Sequence, residues 1–191
     1  MSTRDSVTDF WKIFAIRSAE FARLRSADDP VYDDVLESLQ KIDRGLYLEF
    51  STSDELCELI VTADGDPRLF DLAESVAASA PEIPGWSVRA LKPERGFPKT
   101  VTWEGTEVRI ADVLFASSVR GDGRLDLTLY VPGLTPEVWD DVANALIRAL
   151  DDALGERAAA ELIATVDVAP ASDAGPVNLR PLTELRPRKR H

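Results

Sequence analysis

Apolar side chains recur at a helical period over the first 45 residues of the chain. Three phenylalanines at spacings of four and seven predict a first helix over residues 8–26. The Asp-Pro pair at 29–30 is typical of an N-cap followed by the first helical position, which predicts a second helix ending near Gly45. The amino-terminal quarter of the chain is therefore expected to be helical.

From residue 46 onward the apolar period changes to two, which is the pattern of half-buried strands. The predicted strands are 46–51, 56–63, 86–90, 99–103, 106–110, 113–119, 124–131 and 164–168. Two further helices are predicted by Asp66-Pro67 and by Thr135-Pro136, each of which resembles an N-cap and first position. Gly155 is expected to end the second of these, and 158–162 to form a short alanine-rich turn.

This order of elements predicts an α+β fold rather than a regular alternation of strands and helices. We expect a mixed or mostly antiparallel sheet of six to seven strands with helices mainly on one face. A single domain is predicted over residues 1–169, and 170–191 is predicted as a linker and basic tail that partly docks. The side chains expected in the core are Leu48, Phe50, Trp86, Leu127, Leu129 and Leu146.

Charge is unevenly placed along the 191 residues. The chain holds 22 basic and 34 acidic residues, a net charge of -12. Five bases and one acid lie in residues 180–191, which leaves a body with a net charge of -16. A body of that sign repels nucleic acid and anionic membranes, so neither is expected as a partner, and it favours a cationic protein. Solubility alone is the other explanation of an acidic surface.

The sequence also limits where the protein works and which chemistry it performs. No apolar run reaches the length of a membrane span and no signal peptide is apparent, so a cytoplasmic location is expected. Cys57 lies on the apolar side of a strand, and His191 is the only histidine. Asp64-Gly65-Asp66 fails the calcium-loop pattern, and neither common phosphate-binding glycine motif occurs. No metal, cofactor or catalytic residue is predicted.

The outward positions of the predicted strands supply the candidate binding residues. They are Tyr47, Glu49, Arg89, Asp126 and Tyr130. Tyrosine and arginine are frequent anchors of recognition surfaces, although an ordinary polar sheet face has the same pattern. We therefore expect a non-enzymatic protein-binding or accessory module that self-associates or holds a cationic protein. The alternative is a carboxylate-based hydrolase or small-ligand-binding protein.

Several segments resemble a family of uncharacterised bacterial α+β proteins. The resemblance covers residues 9–166 and rests on the aromatic pair Phe10-Trp11, the strand at 46–50, the turn at 60–65, the 80–86 step with its Ala-Pro and Gly-Trp pairs, and the helix ending at 150–156. It implies the same α+β fold and an acidic, immunity-like or accessory role. It implies no catalytic residue, because the quoted positions are core and turn residues.

Overall fold

The computed structural model describes residues 3–24, 29–52, 56–175 and 178–186. The described part of the chain has an α+β fold, with five α-helices and nine strands in three small sheets. It consists of two compact units, residues 1–92 and 93–191. The boundary at Lys92 lies just before a segment without regular structure, which has prolines at 93 and 98.

The first unit contains three helices and a three-stranded sheet. Its elements are α1 (Thr3–Phe21), α2 (Pro30–Gln40), β1 (Tyr47–Ser51), β2 (Cys57–Thr62), α3 (Phe70–Ala78) and β3 (Trp86–Ala90). The strand order is β1-β2-β3, with β1 antiparallel and β3 parallel to β2. Because parallel neighbours need a crossover, α3 connects β2 to β3. The predicted cap of α2 is confirmed: the Asp29 carboxylate accepts a hydrogen bond from Val31 N at 2.9 Å.

An aromatic cluster joins α1 to the first sheet. Phe21 is fully buried, and its ring centroid lies 5.4 Å from that of Phe14, 5.0 Å from Phe50 and 5.9 Å from Trp86. Most of these rings meet edge to face, the arrangement that the aromatic quadrupole favours. The phenylalanine spacing in the sequence therefore marks the face of α1 that packs on β1 and β3.

The second unit contains the other six strands. Its elements are β4 (Thr100–Trp103), β5 (Thr106–Arg109), β6 (Leu114–Val119), β7 (Leu125–Val131), α4 (Trp139–Leu154), α5 (Glu156–Leu162), β8 (Ile163–Pro170) and β9 (Arg180–Pro181). β4 and β5 form an antiparallel hairpin, and the other four strands form a sheet in the order β8-β7-β6-β9. In that sheet β6 is antiparallel to β7 and β9, whereas β8 is parallel to β7.

The core of the second unit lies between α4 and one side of the four-stranded sheet. Phe115, Leu127 and Leu129 from the sheet pack in one cluster with Leu146 and Leu150 from α4. The end of the chain adds to this cluster, because Leu182 and Leu185 are buried and Leu182 N donates to Val113 O at 2.9 Å. The segment after residue 170 thus contributes core side chains, whereas 187–191 and Val177 lie outside the described residues.

The prediction of one sheet with six to seven strands is wrong. The strands divide into sheets of three, two and four because pairing is interrupted at two places. A loop with prolines at 93 and 98 follows β3, and the β4–β5 hairpin pairs only with itself among the described strands. The boundary of a single domain at residue 169 stays a prediction.

Three local predictions are also corrected. The third helix begins at Phe70 rather than at Pro67, because Asp66 accepts hydrogen bonds from the backbone N and the guanidinium of Arg68 and so forms a turn. Phe50 and Trp86 are half-buried rather than buried, while the four predicted core leucines are confirmed as buried. The predicted turn at 158–162 is part of α5.

No helix in the described ranges is both long enough and apolar enough to cross a bilayer.

Replacing Phe21 with alanine is expected to lower the free energy of unfolding by about 3–5 kcal/mol, because a buried ring leaves a cavity among its aromatic neighbours. Ile16 is the matched control, since it lies on the same helix and is 79% exposed. Ile16→Ala should change the free energy by about 0.5 kcal/mol or less. Urea unfolding followed by near-ultraviolet circular dichroism measures both. Equal effects of the two substitutions would contradict the packing described here.

Tyr32 predicts a loss of stability in alkali. Burial raises the pKa of its phenol above 10.0, and the carboxylates of Glu49 and Asp33 raise it further. Below pH 10 the phenol is neutral in both the folded and the unfolded chain. Above pH 10 the phenol ionises more readily in the unfolded chain, so rising pH favours unfolding. Tyr32→Phe removes the hydrogen bond to Leu48 O, so it should lower the free energy of unfolding at pH 8. Because it also removes the titrating phenol, the free energy of unfolding should fall less steeply above pH 10. Urea unfolding between pH 8 and 11 tests this, and parallel curves would refute it.

Candidate binding surface

The five predicted binding residues lie on two different sheets. Tyr47, Glu49 and Arg89 belong to the three-stranded sheet, whereas Asp126 and Tyr130 belong to the four-stranded sheet. The expectation that they share one sheet is therefore wrong.

On the three-stranded sheet, the predicted residues are partly engaged in ion pairs. Register places Glu49, Ile60 and Arg89 side by side across β1, β2 and β3. Arg89 Nε lies 3.0 Å from Glu58 Oε1, and Glu49 Oε1 lies 3.3 Å from Lys92 Nζ. Because these charges are already paired with one another, they attract a binding partner less strongly than unpaired charges would.

Lys92 is a buried charge that the sequence analysis did not single out. Its side chain is 7% exposed, and Nζ lies 3.3 Å from both Glu49 Oε1 and Asp64 Oδ1. The preceding residue, Leu91, adopts a left-handed conformation with φ of 59°, which is rare for a residue with a side chain. The ammonium group thus links β1 to the turn after β2, a structural role that a buried cation can hold only with such partners.

The outward side of the four-stranded sheet carries the other predicted residues, and we call it the open face. Strand register defines three rows across β6, β7 and β8. The rows are Ser118–Asp126–Thr165, Ala116–Thr128–Asp167 and Leu114–Tyr130–Ala169. None of these nine side chains is buried, whereas the alternate residues on β7 face α4 in the core. Period two along β7 therefore separates an apolar side from a more polar one.

Asp126 is held in place by its neighbours and still has an open oxygen. Its Oδ1 accepts a hydrogen bond from Thr165 Oγ1 at 2.7 Å and lies 3.6 Å from Arg120 Nη1. Within the described part of the chain Oδ2 accepts no hydrogen bond, and the side chain is 40% exposed. Asp167, in the next row, makes no ion pair with any described residue and is exposed. The open face thus presents two carboxylates with unused acceptor capacity.

A shallow concavity of about 370 Å³ lies over β6 and β7 on this face. Its lining comprises Ala116 together with hydroxyls, an amide, a carboxylate and a phenol: Ser117, Ser118, Thr128, Asn178, Asp126 and Tyr130. Asp126 and Tyr130 lie two rows apart, with Thr128 between them on β7. A lining of this composition suits a cationic side chain or a small hydroxylated molecule.

The sequence identified only part of this surface. Thr165 and Asp167 alternate with apolar residues in the predicted strand 164–168, so the same rule that selected Asp126 could have found them. Asn178 reaches the concavity from a segment without regular structure, which no periodicity marks. In the described part of the chain, no three histidine, cysteine, aspartate or glutamate side chains cluster as a metal site would require.

Comparisons with protein-family models, with curated proteins and with solved structures find no match for this chain. The open face is accordingly interpreted from its own geometry and charge.

Removing the Lys92 ammonium should destabilise the first unit more than removing an exposed one. We expect Lys92→Ala to lower the free energy of unfolding by about 1–3 kcal/mol, since Glu49 would remain partly buried without its cation. Lys41→Ala is the control, because Lys41 forms an exposed pair with Glu37 at 3.7 Å and should cost about 0.5 kcal/mol or less.

Combining Lys92→Ala with Glu49→Gln should recover part of that loss, since the remaining buried group is then neutral. The double-mutant cycle is completed by urea unfolding of the wild type, of Lys92→Ala, of Glu49→Gln and of the double variant. Strict additivity of the two substitutions would show that Lys92 and Glu49 do not interact.

Proposed function

We propose that the protein is a non-enzymatic binding module whose open face holds a cationic protein partner. The observation that carries the proposal is the pair of exposed carboxylates, Asp126 and Asp167, which lie in adjacent rows of one sheet face, with Tyr130 in the row after that of Asp167. A partner's lysine or arginine could meet a carboxylate and the tyrosine ring at the same time.

The charge of the whole chain supports the same kind of partner. A net charge of -12 attracts a cationic protein over several ångströms, which raises the association rate at low ionic strength. It also disfavours a second copy of this chain, since two open faces would bring Asp126 and Asp167 against like charges.

The concavity favours a second candidate function. Its hydroxyls, amide and carboxylate around Ala116 would suit a small hydroxylated ligand, as in a small-ligand-binding protein or a carboxylate-based hydrolase. Thr128→Val separates the two candidates, because it removes a hydroxyl from the concavity and keeps its charge. The substitution should weaken a hydroxylated ligand about tenfold and leave a charge-guided protein partner within about twofold.

The protein partner is tested by neutralising the open face. The wild-type chain is immobilised, a captured protein is recovered from the producing cells at low salt, and its affinity is measured after purification. Asp126→Asn with Asp167→Asn should weaken that affinity about tenfold and reduce its dependence on salt, because two charges leave the interface.

The matched control removes two negative charges from another part of the second unit. Glu104→Gln with Glu107→Gln alters exposed residues of the β4–β5 hairpin. This variant has the same net charge as the open-face variant, so it should keep the affinity within about twofold. If both double variants bind as the wild type does, the open face is not the binding surface.

A further inference from the structure

The edge strand β8 exposes a length of unpaired backbone. It spans Ile163–Pro170 and pairs with β7 on one side only, as the end strand of its sheet. Ile163 N donates to Ala159 O at the end of α5, and outside the β7 ladder no backbone hydrogen bond within the described ranges involves residues 164–169. Among the described residues, alternate N–H and C=O groups of Thr165–Ala169 therefore point away from β7 without a partner.

The part of this edge that could accept another strand has defined limits. Register shifts between Leu125 and Asp126, which places Ala164 as an extra residue in β8. Such a bulge interrupts regular pairing at the start of the strand, and Pro170 lacks an N–H at its end. The regular edge is thus Thr165–Ala169, long enough for a short extended segment.

The two sides of this edge have different character. Thr165 and Asp167 are exposed on the open face, whereas Val166 packs against the core and is half-buried. A strand added beside β8 would place alternate side chains next to Thr165 and Asp167, with Asp126 one strand further along the same row as Thr165, and the others next to Val166. The edge therefore selects basic residues on one side of the added strand and apolar residues on the other.

We propose that β8 binds an extended segment of the partner as a fifth strand, with lysine or arginine at every second position. This inference rests on the proposed function, because it identifies the part of a cationic partner that contacts the open face. Main-chain hydrogen bonds supply affinity in such strand addition, and the alternating side chains supply specificity. A second copy of β8 is a poorer occupant, since pairing would oppose its own exposed aspartates.

The experiment uses the full chain and three synthetic eight-residue peptides. The first alternates lysine with valine, the second has the same composition in two blocks, and the third is the first peptide N-methylated at every second residue. The alternating peptide should bind at least tenfold more tightly than either of the others. Only this peptide can both hydrogen-bond to the backbone edge of β8 and match the acidic and apolar sides of that edge. Hydrogen exchange should show new protection at the amides of Thr165–Ala169.

Each outcome separates the edge from the proposed function. If all three peptides bind equally and Asp126→Asn with Asp167→Asn weakens all three, the edge inference fails while the proposed function stands. If alternation matters but the double variant binds equally well, the carboxylates are not the determinants and the proposed function fails. Absence of binding by the alternating peptide at millimolar concentration, or a dimer that protects the same amides, would overturn the strand-addition inference.

Discussion

Alternation along β7 determines both the core of the second unit and the chemistry of its surface. Leu127 and Leu129 face α4, and Asp126 and Thr128 between them face outward. A shift of one residue in the pairing of β7 would place two carboxyl or hydroxyl groups in the core and two leucines in water. Each buried leucine contributes on the order of 2 kcal/mol, so the register that forms the core also fixes the open face.

The two units use their charges differently. In the first, Glu58 is paired with Arg89 of the same sheet, and Glu49 is paired with Lys92, which follows β3 and whose ammonium is nearly inaccessible to water. These pairs hold strands and a turn together. On the open face, Asp126 accepts a hydrogen bond from Thr165 and lies 3.6 Å from Arg120, and Asp167 forms no ion pair with any described residue. A carboxylate without a close cation keeps more of its charge for a partner than Glu58 does at 3.0 Å from Arg89, and Asp167 meets that condition better than Asp126.

Sequence periodicity predicted the elements well because each buries one face. The phenylalanines of α1, the Asp29-Pro30 cap and the hairpin of β6 and β7 all rest on local spacing or turn chemistry. The arrangement of strands into three sheets could not be predicted, because period two marks which side of a strand is buried and says nothing of which strand lies beside it. Lys92 was missed for a related reason: its burial depends on Glu49 and Asp64, which are 43 and 28 residues away in the chain.

The same residues that make β8 a poor partner for itself make it selective for another chain. An unpaired edge invites aggregation, and natural sheets limit it with bulges, proline and charge. β8 has all three, in Ala164, Pro170 and Asp167. The bulge and the proline restrict pairing from any partner, because they act on the backbone. Asp167 acts through charge, so it repels an acidic strand and attracts a basic one. In the proposed strand addition, an edge protected in this way would disfavour copies of its own chain and would accept a segment of opposite charge.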